Sequence, residues 1–305
     1  MDTCITVWYW PTHERWFDEG MRRTLRWVKE AGFTHINWNP DAGYSYIYAP
    51  AEIDHIGQMI DGAGLKAWSV HGSNGRNAVS EVGLPCRETR KHFLAPVEWQ
   101  RQAGLDLVRN RIALAERIGS PNVVMHFELD NEVLDDPDSK AAYYDTLHRS
   151  LEDLRPDCER SGVRIAIENL PGASLERTVE QLERVFERHP ESVIGLCYDS
   201  GHAELVEKGG VTILETFRSR LITTHLHDNL SVRDDHLLPW DGHLDWERLT
   251  ALIADSPCAL PLNFETPYRH HGMGYSTTEP AFYARAFPLI HKVTGMVAKA
   301  RQDHS

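Results

Sequence analysis

The stretch Val163-Arg164-Ile165-Ala166-Ile167-Glu168-Asn169 decides how the chain is read, together with two successors, Val193-Ile194-Gly195-Leu196-Cys197-Tyr198-Asp199 and Leu221-Ile222-Thr223-Thr224-His225-Leu226-His227. Each is a short apolar run with no strict alternation of polar and apolar positions. Such runs suit parallel strands covered on both faces. Each also closes on acids or imidazoles. Parallel strands need a crossover between them, usually a helix. Helical patterns lie in the intervals, over Leu175–Arg188 before His189-Pro190 and over Ala203–Arg218.

Working outward, five further runs read the same way: Cys4–Trp10, Phe33–Asn39, Leu65–His71 and Asn122–Phe127 upstream, and Leu260–Glu265 downstream. Helices are expected over Glu14–Ala31, Asp54–Asp61, Glu98–Ile118, Ala141–Ser161, Leu244–Ala254 and Thr278–Ala300. Gly32, Gly119 and Gly162 stand where three of them should stop. Eight strand–helix alternations with no linker predict an α/β fold, a single (β/α)₈ TIM barrel occupying residues 1–305 as one domain. The length of 305 residues covers a barrel of about 250 residues with insertions. An open doubly wound sheet is the other architecture, but no Gly-rich dinucleotide loop follows the first run. The long segments Gly72–Pro96 and Asp228–His243 follow the third and seventh strands, on the face where barrel active sites lie.

Composition narrows the function classes. The net charge of −13 disfavours a polyanionic partner, so no nucleic acid is expected. No apolar run approaches the ~20 residues of a membrane span, and the N-terminus lacks a leader pattern. The five cysteines, Cys4, Cys86, Cys158, Cys197 and Cys258, are scattered and contain no C-x-x-C pair. This favours a reducing compartment, the cytoplasm, over a disulfide framework.

The strand ends carry the chemistry. The third closes on His71, the fourth reaches His126, the fifth closes on Glu168-Asn169 and the sixth on Asp199, with His202 three residues on. The seventh carries His225, His227 and Asp228, and the eighth closes on Glu265. Burying such groups costs several kcal/mol unless they are paired or coordinated. Taken singly, each has a plain alternative: a hydrogen-bonded barrel histidine, an ion pair, a helix N-cap at Asp199, or water-facing loop residues at His227 and Asp228. Taken together, their placement at one end of successive strands predicts a common rim and a divalent metal. Imidazole with several carboxylates suits Mn²⁺ first, with Zn²⁺, Co²⁺ or Mg²⁺ also compatible. Trp8, Trp10, Trp38, Trp68 and Trp240 are placed either to stack on a sugar ring or to pack in the core.

At these residues the sequence resembles the xylose isomerase-like TIM-barrel superfamily, which contains sugar isomerases and epimerases, inosose dehydratases and the apurinic-site endonucleases of the endonuclease IV type. The resemblance runs along nearly the whole chain. It rests on Ile167-Glu168-Asn169, Asp199-Ser200-Gly201-His202, His225-Leu226-His227-Asp228, and Asp234-Asp235-His236 leading to Gly242-His243-Leu244-Asp245-Trp246. It implies that Glu168, Asp199, His225 and Glu265 hold a shared metal, and that Glu168 and Glu265 double as acid and base. It implies that His202 touches substrate, and that His71, His126, His236 and its partner Asp234 either line the pocket or serve further metals. His227 and Trp38 complete the expected substrate contacts.

The activity this implies is a divalent-metal-dependent isomerase or epimerase of a keto-sugar or keto-polyol, working through a metal-stabilised enediolate. The same proton abstraction would serve a dehydratase or lyase on a keto-polyol or keto-glycoside. Abasic-site DNA repair is a further reading. The ligand count supports it, as do Arg76, Arg87, Arg90 and Lys91 in the strand-three loop; the charge opposes it. A barrel that binds without catalysis is the remaining one. The substrate is expected to be a small carbohydrate, non-phosphorylated because no Gly-rich phosphate cradle is present. A homo-oligomer is expected by resemblance.

Overall fold

The computed structural model describes residues 1–8, 17–40, 45–73, 75, 91–128, 131–270, 273–275 and 277–303. Eight parallel strands form one sheet: β1 (Cys4–Val7), β2 (His35–Trp38), β3 (Lys66–His71), β4 (Asn122–His126), β5 (Arg164–Glu168), β6 (Ile194–Asp199), β7 (Leu221–His225) and β8 (Asn263–Phe264). Neighbours run β7-β6-β5-β4-β3-β2-β1-β8. The sheet closes on itself where Leu226 bridges Phe264. At that seam Leu226 N–H donates to the Asn263 carbonyl at 3.0 Å, and Glu265 N–H donates to the Leu226 carbonyl at 3.0 Å. This is the (β/α)₈ TIM barrel predicted above.

The outer layer comprises α1 (Phe17–Ala31), α2 (Pro50–Gly62), α3 (Glu98–Ile118), α4 (Asn131–Asp135), α5 (Pro137–Ser161), α6 (Leu175–Arg188), α7 (Ser200–Glu207), α8 (Thr212–Phe217), α9 (Trp246–Ala254) and α10 (Glu279–Asp303). Helix α1 lays Met21, Leu25 and Val28 against the barrel, at the spacing that puts them on one face. Helices α3 and α5 stop where glycine can take positive φ, at Gly119 (71°) and Gly162 (73°). The helix expected over Ala203–Arg218 is two helices, because Lys208 (φ 49°) and Gly209 (φ 88°) turn left-handed between them. The eighth strand has two residues in place of the six expected, and a two-stranded antiparallel ribbon, β9 (Arg269–His270) with β10 (Met273–Gly274), follows it. The expected ends Trp10 and Glu14 fall outside the described residues, and no described helix is long and apolar enough to cross a membrane.

The barrel interior is partly polar. Ser69 Oγ donates to Asn37 Oδ1 (2.8 Å), Asn37 Nδ2 donates to Thr6 Oγ1 (3.1 Å), and Asn263 Nδ2 donates to the same oxygen (3.2 Å). Val124, Ala166, Cys197 and Ile222 form a separate apolar cluster of buried side chains. These side chains fill the space beneath the strand ends and give the rim a packed floor.

Candidate metal centre

Register brings the rim together. Asp199 on β6 lies opposite His225 on β7, and His126 on β4 lies opposite Glu168 on β5. Glu265 follows β8 directly and is fixed by its seam hydrogen bond to Leu226. Glu168, Asp199, His225 and Glu265 are all at most 3% exposed, and one ligand atom from each lies within 4.8 Å of the others. His225 Nδ1 is 2.8 Å from Glu265 Oε2 and 3.2 Å from Glu168 Oε2. Both carboxylate oxygens of Glu168 and both ring nitrogens of His225 are nonetheless buried without a well-formed hydrogen bond. Orphaned buried groups of this kind are rare in proteins. A divalent cation satisfies them at once, so the donor set fits the metal that the sequence implies.

The charges support each other. Burial alone would raise the Glu168 carboxyl, but the imidazoles of His225 and His126 hold it well below the usual carboxylate range. Against the same burial, His225 holds Glu265 down to about 2. Burial would lower His225, yet Cys197, Glu265 and Glu168 raise it well above an ordinary imidazole.

Neighbouring side chains fix the ligands. Asn39 Nδ2 donates to Glu265 Oε1 at 3.1 Å. Asn169 holds the backbone of Asp199 from both sides, accepting from its N–H (2.8 Å) and donating to its carbonyl (2.9 Å). Asp199 Oδ1 accepts from His202 N–H at 2.7 Å, so this acid caps α7 while facing the centre. The N-cap role therefore leaves Asp199 among the candidate ligands.

A second group adjoins the first. Asp234 Oδ2 lies 2.8 Å from His236 Nε2 and 3.3 Å from His202 Nε2, and His202 Nδ1 lies 3.2 Å from Glu168 Oε1. His227 stacks on His236 at 4.1 Å and brings Nε2 within 3.0 Å of Asp199 Oδ1. Burial would lower His236, but Asp234 lifts it to about 9. On the other flank, His126 and His71 place Nε2 3.2 and 3.8 Å from Glu168 Oε2. Burial, with His126 beside it, pushes His71 down to about 4.

Nine of the ten expected site residues thus meet at one rim. Trp38 does not. It is 1% exposed and packs edge-on against Phe17 of α1, 6.2 Å between ring centres, inside the hydrophobic core. Side chains alternate along a strand. Asn37 points into the barrel, so Trp38 points out and Asn39 points in again to reach Glu265. Trp240 is likewise occupied elsewhere, against Trp246 and under Lys292 Nζ at 4.0 Å, and Trp68 lies edge-on to His35.

The water-facing alternative for His227 and Asp228 is overturned, because both are fully buried. Asp228 accepts from Asn229 N–H (2.9 Å), Trp240 N–H (2.8 Å), Leu244 N–H (3.0 Å) and Trp246 Nε1–H (2.9 Å), which anchors the segment that carries Asp234 and His236. Arg76, Arg87 and Arg90 lie outside the described residues, and Lys91 Nζ donates to the Ser45 carbonyl at 2.9 Å.

Closed barrel, acid–imidazole rim and buried donors together define a metal-competent (β/α)₈ protein. The chain belongs to the xylose isomerase-like TIM barrel family, which it matches over residues 25–286. The uncharacterized protein y4fM of Sinorhizobium fredii (strain NBRC 101917 / NGR234) is 47% identical over 306 residues, 99% of this chain and 97% of its own. The structure of the 3-keto-D-glucoside 4-epimerase YcjR from E. coli matches with a TM-score of 0.64 at 15% identity, covering 95% of this chain and 100% of that one. A xylose isomerase-like TIM barrel protein from Mycobacterium smegmatis, in complex with magnesium, matches with a TM-score of 0.62 at 15% identity over 94% of this chain and 91% of that one. At these identities the two structures establish a shared fold.

Proposed function

We propose that the protein is a divalent-metal-dependent isomerase or epimerase of a keto-sugar, keto-polyol or keto-glycoside. The observation that carries this reading is the pair Glu168 and Glu265. They stand at the end of β5 and directly after β8, both buried, with Glu168 Oε2 and Glu265 Oε2 each within reach of His225 Nδ1. Glu168, Asp199, His225 and Glu265 would hold the ion. Bound there, it would polarise a substrate carbonyl and offset the negative charge that develops as the neighbouring carbon loses its proton. The proton transfers belong to the two glutamates: one carboxylate takes the proton from carbon on its side, and the other glutamate serves the opposite face. Asn39 orients Glu265 through its amide, and His202, between Asp234 and Glu168, would orient a substrate hydroxyl. Burial of the rim limits competing water. The magnesium complex of one relative and the epimerase activity named for another support the reading.

The test is Glu168→Gln, with exchange of the substrate's α-hydrogen for solvent deuterium as readout. Turnover and exchange should fall by at least about 100-fold with the circular dichroism spectrum unchanged. Wild-type exchange in that variant removes Glu168 from the mechanism. A dehydratase would share this first step. The abasic-site reading is favoured by the convergence of His71, His126, His202, His227, Asp234 and His236 and opposed by the net charge of −13. Cleavage of an abasic duplex by the purified protein would reverse that preference.

A further inference from the structure

The opposite mouth of the barrel holds a cavity of about 120 Å³ whose walls include Arg164, Glu191, Ile194, Arg220, Ile222 and Pro257. Arg164, Ile194 and Leu221 open strands β5, β6 and β7, so this is the amino-terminal end. Along β5 it lies four residues from Glu168, roughly 13 Å at strand rise. Ile222 belongs to the apolar cluster that floors the rim, which separates the two ends.

Two guanidiniums meet there in different states. Arg220 is locked: it donates to the carbonyls of Phe186 (2.9 Å), His189 (3.0 Å) and Ile194 (2.7 Å), and its guanidinium lies over the Phe186 ring at 4.5 Å. Its Nε is buried without an acceptor. Arg164 is half-buried and its side chain makes neither a hydrogen bond nor an ion pair among the described residues, in a chain with more acids than bases. Burial lowers its affinity for a proton, and Glu191 acts on it only from a distance. A guanidinium that reaches solvent without a protein acceptor keeps its N–H fork free, and planar N–H forks match oxyanions.

We propose that this cavity is a binding site for a small oxyanion, the phosphate or carboxylate head of a metabolite, with Arg164 as the mobile arm and Arg220 as the fixed one. The charge balance at the mouth, two arginines against one glutamate, leaves room for one negative group.

The experiment is thermal melting and calorimetric titration of the full chain with inorganic phosphate and, separately, acetate, at ionic strength held constant with sodium chloride. Phosphate should raise Tm saturably. Arg164→Met should weaken that binding at least tenfold, Arg164→Lys should weaken it less, and Glu191→Gln should tighten it severalfold. Phosphate held at the metal centre would survive Arg164→Met, so an unchanged response in that variant overturns the proposal. Absence of any saturable response in the wild type overturns it too. A lower Tm in Glu191→Gln with no phosphate effect also does so, since it would show Glu191 to be the partner of Arg164. Saturation by acetate with equal affinity identifies a carboxylate head, and tighter phosphate identifies a phosphoryl one.

Discussion

Asn39 shows how much turns on one step of strand register. The apolar run Phe33–Asn39 announces β2, but its prominent aromatic, Trp38, belongs to the helix-facing side and the modest amide after it belongs to the rim. The alternation that separates them was readable in principle, because Asn37 and Asn39 share a face. Ile36 and Trp38 share one face and His35, Asn37 and Asn39 the other, and with both faces buried the alternation alone does not say which one looks into the barrel. Asn39→Leu should leave the fold intact, since leucine is close to asparagine in size and shape, while removing the donor that orients Glu265. Outer partners of metal ligands typically contribute tenfold to a hundredfold in affinity. Titration of the metal-free variant with Mn²⁺ should therefore show at least a tenfold weaker dissociation constant, and an unchanged constant would show that Glu265 is oriented by the seam alone.

Among the elements, the connection after β7 departs furthest from its sequence reading. Its length, Asp228–His243, predicts a lid or a disordered connection on the active-site face. It is instead a rigid structure wound around one carboxylate, Asp228, with Ser231, His236 and Trp240 all at positive φ (62°, 49° and 68°). Such backbone is costly for residues other than glycine and persists only where surrounding contacts over-determine it. The four donors to Asp228 supply that determination. Asp228→Ala should cost about 3 kcal/mol in a urea melt, far more than a substitution in a free loop. It should also loosen the second imidazole group, because the loop delivers Asp234 and His236.

The α5–α6 pair predicts a pH response of a different origin. His148 Nδ1 lies 3.0 Å from His189 Nε2, so one ring must donate while the other accepts. Burial depresses both, His189 to about 4, with Arg188 facing both rings, Arg184 facing His148 and Arg155 facing His189 adding to the effect, while Glu152 and Asp145 oppose it. The unfolded chain then binds protons that the folded one refuses between about pH 6.5 and pH 4. This contribution is fully present above that window and is lost as pH falls through it. His189→Gln should flatten the decline in urea midpoint measured from pH 7 to pH 5.

At the scale of the whole molecule, the fold and the convergence of the four central acids and imidazole were legible because both depend on repetition. Eight apolar runs in alternation with helices allow few architectures, and chemistry placed at run after run leaves one meeting point. The remainder depended on pairwise geometry between distant residues, such as Asn169 against Asp199 or Asp228 against Trp246, for which no periodicity exists. Chelation of a metal-loaded preparation should lower Tm, and restoring Mn²⁺ at about 100 times its dissociation constant should recover about 2.7 kcal/mol. Equal melting with and without chelator would mean that no ion contributes to the folded state. That stabilisation has a specific place to act. The hoop of strands is laddered everywhere except between β7 and β8, where a single bridge at Leu226 does the joining. His225 stands on one side of this weak joint and Glu265 on the other. An ion gripped by both is a clasp across the gap, so loss of the ion should be felt first as faster amide exchange at Leu226 and Glu265, before any helix loosens.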